Sequence, residues 1–222
     1  MRPKFVSGKE YDRSGSISPS GARVVLNFRG DIVTVSAEKG DVENLTQTTG
    51  THEKEPKWSP DGKHIAYFSD ESREYALHVE TTEDSKSIKK IKLDGAGLYA
   101  NLHWSPDSEK VAYVDNSRSI FITHIENNKT TKVASDVLYV PGVFRELFGS
   151  WSPNSEWLIY SKILKTNFEK AYLYSLENNT SYSLSDGLSN VTEPTFDPSG
   201  KYIYMTASTG AGPVVNWFDQ SN

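Results

Sequence analysis

The chain has 222 residues, 36 % hydrophobic and 12 % aromatic, with a formal net charge of −5 and no cysteine. That length supports a sizeable all-β core, and the lack of cysteine excludes a disulfide framework and thiolate metal ligands. Mixed charges without a basic stripe argue against nucleic acid as the main partner, and no apolar run approaches the roughly 20 residues of a membrane-spanning helix.

Residues 1–10 lack the apolar middle of a signal peptide. The expected compartment is the cytoplasm, or the periplasm for a bacterial parent chain that has lost such a leader. Lys4-Phe5-Val6-Ser7 is strand-like. Next comes the first copy of a unit that recurs along the chain, Ile17-Ser18-Pro19-Ser20-Gly21 running into Val24-Val25-Leu26. The later copies are Trp58-Ser59-Pro60-Asp61-Gly62, Trp104-Ser105-Pro106-Asp107-Ser108, Trp151-Ser152-Pro153-Asn154-Ser155 and Phe196-Asp197-Pro198-Ser199-Gly200. Each runs into an apolar, aromatic-rich stretch. The prolines fall at 19, 60, 106, 153 and 198, a near-constant step that marks a structural repeat.

The second copy serves as the template. Residues 54–58 read as a strand, and Ser-Pro-Asp-Gly reads as a tight turn, Pro fixing φ at its first corner. Residues 63–69 alternate as a second strand, 70–73 form a polar loop, 74–80 a third strand and 87–93 a fourth. In the first copy the later strands fall at 23–28, 31–36 and 42–46. They fall at 110–114, 119–125 and 130–134 in the third, and at 157–161, 171–176 and 181–184 in the fourth. The fifth copy offers only 194–196, 202–207 and 214–218. Four short strands per 40–45 residues is the signature of a β-propeller blade. The expected architecture is a single all-β propeller, partial or five-bladed, with blades at about 11–48, 51–93, 97–135, 138–185 and 188–222. If the ring is open, an exposed blade face favours self-association.

A more specific likeness lies in Phe28-Arg29-Gly30-Asp31-Ile32, Asn44-Leu45-Thr46, His52-Glu53, the run Trp58 to Asp70, and Thr206-Ala207-Ser208-Thr209. Together these resemble the propeller region of tricorn-type proteases, over nearly the whole chain. The Ser-Pro-Asp-Gly element alone is shared with TolB-like propellers. The resemblance implies a non-catalytic segment that binds or gates peptides, in a parent whose PDZ and serine-peptidase domains hold the catalytic residues. Nothing in these 222 residues matches those domains, and the family ring is larger than five blades, which favours a partial propeller.

Motifs for chemistry are sparse. There is no Gly-x-Ser-x-Gly elbow, and His52-Glu53-Lys54-Glu55-Pro56 has Pro where a zinc-protease helix needs its second His. The five histidines lack ligand spacing, so no metal or cofactor is expected. Arg29-Gly30-Asp31 reads as a hairpin turn, not an adhesion motif, and the tryptophans as packing between blades.

Loops between second and third strands, and links from one blade to the next, share the rim opposite the Ser-Pro-Asp-Gly turns. Loops on a rigid scaffold are where binding residues concentrate. The candidates there are Arg29, Asp31, His52, Glu53, Asp70, Arg73, Tyr99, Asn101, Arg145 and Lys162, with Phe144 and Asn190 beside them. Arg29, Arg73 and Arg145 could hold a peptide carboxylate. The other readings are a free-standing TolB-like protein-binding propeller, and a five-bladed glycosidase using Asp31, Glu53, Asp70 and Glu193.

Overall fold

The computed structural model describes residues 12–82, 87–136 and 147–208. The strand-like segment 4–7, the 214–218 segment, Phe144 and Arg145 lie outside them. All regular structure among the described residues is β. Blade one comprises β1 (Asp12–Ile17), β2 (Arg23–Phe28), β3 (Asp31–Ser36) and β4 (Glu43–Asn44). Blade two comprises β5 (Glu53–Trp58), β6 (His64–Ser69), β7 (Ala76–Thr81) and β8 (Ile88–Lys92). Blade three has β9 (Tyr99–Trp104), β10 (Lys110–Asp115), β11 (Ser119–His124) and β12 (Thr130–Ser135). Blade four has β13 (Phe148–Trp151), β14 (Trp157–Ile163), β15 (Glu169–Ser175) and β16 (Thr180–Ser183), and blade five shows β17 (Val191–Phe196) and β18 (Ile203–Ala207). Each four-stranded sheet pairs its strands in chain order. The predicted strands that fall among the described residues stand within a few residues of their expected places.

The repeated turn explains the repeat. In blade two the Ser59 hydroxyl donates to Asp61 Oδ1 at 2.5 Å and accepts from His64 N at 3.0 Å. Asp61 Oδ1 also accepts from Lys63 N at 3.0 Å, and Gly62 takes the left-handed φ of 73° that closes the corner. Blade four repeats the arrangement with Asn154 in the aspartate's place. Arg29 and Gly30 both have positive φ, 56° and 95°, between the paired residues Phe28 and Asp31. That is the two-residue hairpin expected of this sequence.

The first strand of each blade carries a register shift. At this bulge Glu55, Asn101 and Glu193 occupy equivalent positions with φ of 54°, 57° and 53°. A non-glycine residue there costs about 1 kcal/mol, which the surrounding ladder must hold.

The chain divides into two compact units, Met1–Asn116 with Ile122–Thr131, and Ser117–Phe121 with Lys132–Asn222. In the first unit, Val25, Ile32, Ile65 and Tyr67 form a core cluster against which Trp58 and Leu45 pack. Beyond it Phe68, Tyr99 and Tyr113 pack ring to ring at centroid distances of 5.5–6.0 Å. Such pairs add about 0.5–1.5 kcal/mol to the burial of the rings themselves. The tryptophans at 104 and 151 are buried, as packing residues should be.

The seams between blades repeat too. Trp58 N donates to Ser16 Oγ of blade one at 3.2 Å, and Phe196 N donates to Ser150 Oγ of blade four at 2.8 Å. Between blades two and three, Trp104 Nε1 donates to Lys57 O at 3.1 Å. In the second unit a Cβ on Gly149 would stand 1.5 Å from the Pro194 carbonyl oxygen, so only glycine lets those two strands approach.

Candidate functional site

A cavity of about 1010 Å³ lies in the first unit. Two loops build it, the β6–β7 loop with Asp70, Arg73 and Glu74, and the β8–β9 link with Asp94, Gly95 and Gly97. Tyr75, at the entry to β7, lies between cavity and rim, and Lys90 and Lys92 reach in from the edge strand β8. The link is shaped by Asp115, whose Oδ2 accepts from Ala96 N at 2.9 Å. A Cβ on Gly95 would stand 2.8 Å from that oxygen, and Gly95 has φ of 126°, so glycine is needed there on two counts.

The electrostatics are mixed. Lys90 is paired with Glu71 at 2.5 Å, whereas the side chains of Arg73 and Lys92 have no ion pair or hydrogen bond among the described residues and face solvent. Beside the cavity, His52 N donates to Asp70 Oδ1 at 2.7 Å, and His52 Nδ1 shares a hydrogen bond of 2.7 Å with the Tyr75 hydroxyl. Lys54 Nζ stands 4.5 Å from the centre of the Tyr75 ring. Burial, with the charges of Asp70 and Glu53, pushes the Tyr75 phenol up. The structure thus ties Asp70 and Tyr75 together through His52, and Tyr75, Lys90 and Lys92 are site residues that the sequence pattern did not single out. In the sequence Tyr75 falls within the 74–80 stretch read as the third strand of blade two. Its place at the strand's first corner, with the hydroxyl free to leave the sheet, was the missed signal.

Other candidates stand elsewhere. Glu53 is 1 % exposed and accepts from Thr48 Oγ1 at 2.8 Å, and burial raises its carboxyl above the ordinary 4.5. Tyr99 lines the cavity floor but is packed in the aromatic cluster. Asp31 accepts from Asn44 Nδ2 at 3.1 Å, and Arg29 is exposed on its hairpin. Asn101 sits at the β9 bulge with its Nδ2 buried and without a partner. In the second unit Lys162 Nζ lies 5.3 Å from the centre of the Tyr172 ring, and Asn190 Oδ1 accepts from Glu169 N at 2.8 Å. No group of three or more His, Asp or Glu among the described residues is placed to share a metal ion.

Carboxylate-pair chemistry needs two acids facing one open site. Glu53 is sealed from any sugar, Asp31 is engaged by Asn44, and Asp70 is engaged by the His52 amide. The cavity itself carries Arg73 on one loop, with Tyr75, Asp70, Glu74 and Asp94 around it.

Four-stranded antiparallel blades repeated about their Ser-Pro-Asp-Gly turns define the class, a β-propeller. The family described as tricorn protease second beta propeller domain matches residues 13–214, and the chain belongs to it. The crystal structure of the tricorn protease superposes with a TM-score of 0.75 at 14 % identity, covering 89 % of this chain and 19 % of that one. A putative TolB from Agrobacterium tumefaciens gives 0.60 at 18 % identity, covering 89 % and 70 %. Kuenenia stuttgartiensis hydrazine synthase gives 0.62 at 16 % identity, covering 93 % and 58 %. At such identities these are likenesses of fold, and the chain spans about a fifth of the tricorn protease chain. No curated protein matches it in sequence.

Proposed function

We propose that this chain is a non-catalytic propeller segment that binds peptide, within a larger tricorn-like peptidase, and that the blade-two cavity is its binding site. The observation that carries this reading is the cavity itself. It is wide enough for several residues of extended chain, and Arg73 stands on its rim with an uncommitted guanidinium. A peptide carboxylate meeting that guanidinium would make a bidentate, charge-assisted contact. Tyr75 would offer a ring face and a hydroxyl, and Asp70 and Glu74 would take backbone or side-chain donors.

The test is titration of a labelled peptide library against the full chain by fluorescence anisotropy. Arg73→Ala is expected to weaken carboxylate-bearing ligands about tenfold or more, as loss of a charged hydrogen bond costs about 1.5–3 kcal/mol, and Arg29→Ala is expected to leave them unchanged. Equal affinity for wild type, Arg73→Ala and Tyr75→Ala would sink the reading.

A further inference from the structure

The strands of blade two pair in the order β5-β6-β7-β8, so β8 has a strand neighbour on one side only. The last strand of a blade is its outer one, and its edge stays open however many blades complete a ring. The direction of its free backbone groups follows from the ladder. Thr81 N donates to Ser87 O at 3.0 Å, and on the other side of β7 Thr82 N donates to Lys63 O at 2.9 Å. Such groups alternate along an antiparallel pair. With Val79 opposite Lys89 and Leu77 opposite Ile91, the amides and carbonyls of Ser87, Lys89 and Ile91 face β7. Those of Ile88, Lys90 and Lys92 face outward, where no described strand meets them, and all three residues are exposed.

The charge of this edge sets it apart. β8 carries Lys89, Lys90 and Lys92 in five residues and no acid, on a chain whose net charge is −5. The outer strand of blade three, β12, has one lysine in six residues, and β16 of blade four has none. Lysines on an edge oppose pairing with another basic edge, and so with β8 of a second copy. The same charges favour a strand of opposite sign. Lys90 and Lys92 stand two residues apart and share one face of the sheet. Both line the cavity, as does Arg73. Lys89 is committed, its Nζ donating to the Glu126 carbonyl of blade three at 2.7 Å. Lys90 holds Glu71 in an exposed pair, and Lys92 holds no acid among the described residues. Glu74 and Asp94 stand on the cavity's loops and not on β8.

We propose that the outer edge of β8 takes an acidic peptide as a fifth strand of blade two. This names the class of peptide for the cavity, and it rests on the reading of that cavity as a peptide site. The peptide backbone pairs with the outward groups of Lys90 and Lys92, as extended ligands do on open sheet edges. Acidic side chains at every second position lie over those two lysines. The end of the peptide that enters the cavity meets Arg73, whereas Glu74 and Asp94 disfavour a further acid beside them.

The test uses the full 222-residue chain and labelled peptides of about eight residues, read by fluorescence anisotropy. A peptide alternating Glu and Val is expected to bind at least tenfold more tightly than one alternating Lys and Val. Lys92→Glu should abolish that preference, and a circular dichroism melt matching wild type shows that this exposed change leaves the fold intact. N-methylation of the Glu-Val peptide gives an independent readout on wild type, which decides the matter if the variant melts early. Only alternate amides of a paired strand face its neighbour, so methylating one alternate set should abolish binding and methylating the other should leave it within about twofold. Equal effects of the two methylated sets overturn the proposal, as does a Lys-Val peptide that binds as well as the Glu-Val one, or a preference that survives Lys92→Glu in a folded variant. Self-association of the free chain that the Glu-Val peptide disperses also overturns it, by placing a second copy on the edge. In any of these cases, peptide binding that still weakens in Arg73→Ala keeps the cavity reading and removes only the added strand. Absence of binding by every peptide overturns both.

Discussion

Blades two and five start from nearly the same turn, and their first two strands pair in the same register. Their burial could hardly differ more. From Ile65 to Ser69 the second strand of blade two is wholly buried, whereas from Tyr204 to Ala207 that of blade five is exposed. An apolar, β-branched and aromatic pattern makes a strand in both places. What seals one and leaves the other open is the presence of a packed neighbour, since blade two lies against the aliphatic Val25, Ile32 and Leu45 of blade one and the aromatic Tyr99 and Tyr113 of blade three within its unit.

Substitutions at matched registers probe that difference. The largest effect is expected at Tyr67→Ala, which empties a fully buried ring site and should cost about 4 kcal/mol in a denaturant melt. Met205→Ala, at the equivalent place, should cost less than about 1 kcal/mol, and equal losses would break the comparison. Gly149→Ala comes next. A methyl group there meets the Pro194 carbonyl and should cost about 3 kcal/mol, against about 1 kcal/mol for Gly21→Ala, where only the positive φ resists. Ser150→Ala removes the hydroxyl that accepts from Phe196 N and should cost about 1 kcal/mol, while Thr195→Ala in dilute solution should be nearly silent.

The smallest change is a slope. At the register where blade five has buried Val191, blade two has buried Glu53, whose carboxyl is raised by its burial. Its stabilising protonated form is fully present below the ordinary 4.5 and is lost as pH rises through the raised folded value. Glu53→Gln should therefore flatten the fall in melting temperature above that pH. An unchanged slope would mean that the carboxyl does not titrate in the fold.

Much of the candidate site was legible because the rim follows from strand order alone. Asp70 and Arg73 were placed by counting from the turn, and they do share a cavity wall. Glu53 and Tyr99 were placed on the same rim, but one residue of register separates exposed His52 from buried Glu53, and a period-two element gives no warning of which side the neighbouring blade covers. Tyr75 was hidden for the opposite reason, a strand aromatic whose hydroxyl finds His52 across 23 residues of chain.

By itself the sequence determined the blade. The turn chemistry of Ser, Pro, Asp and Gly and the alternation of the strands act over a few residues, so they can be read locally. Only the tertiary structure decided the rest, namely the bulges at Glu55, Asn101 and Glu193, the glycine demanded by Pro194 at position 149, and the cavity between two loops some twenty residues apart. Those depend on which backbone comes within a few ångströms of which, a matter of seams between repeats and not of the repeat unit.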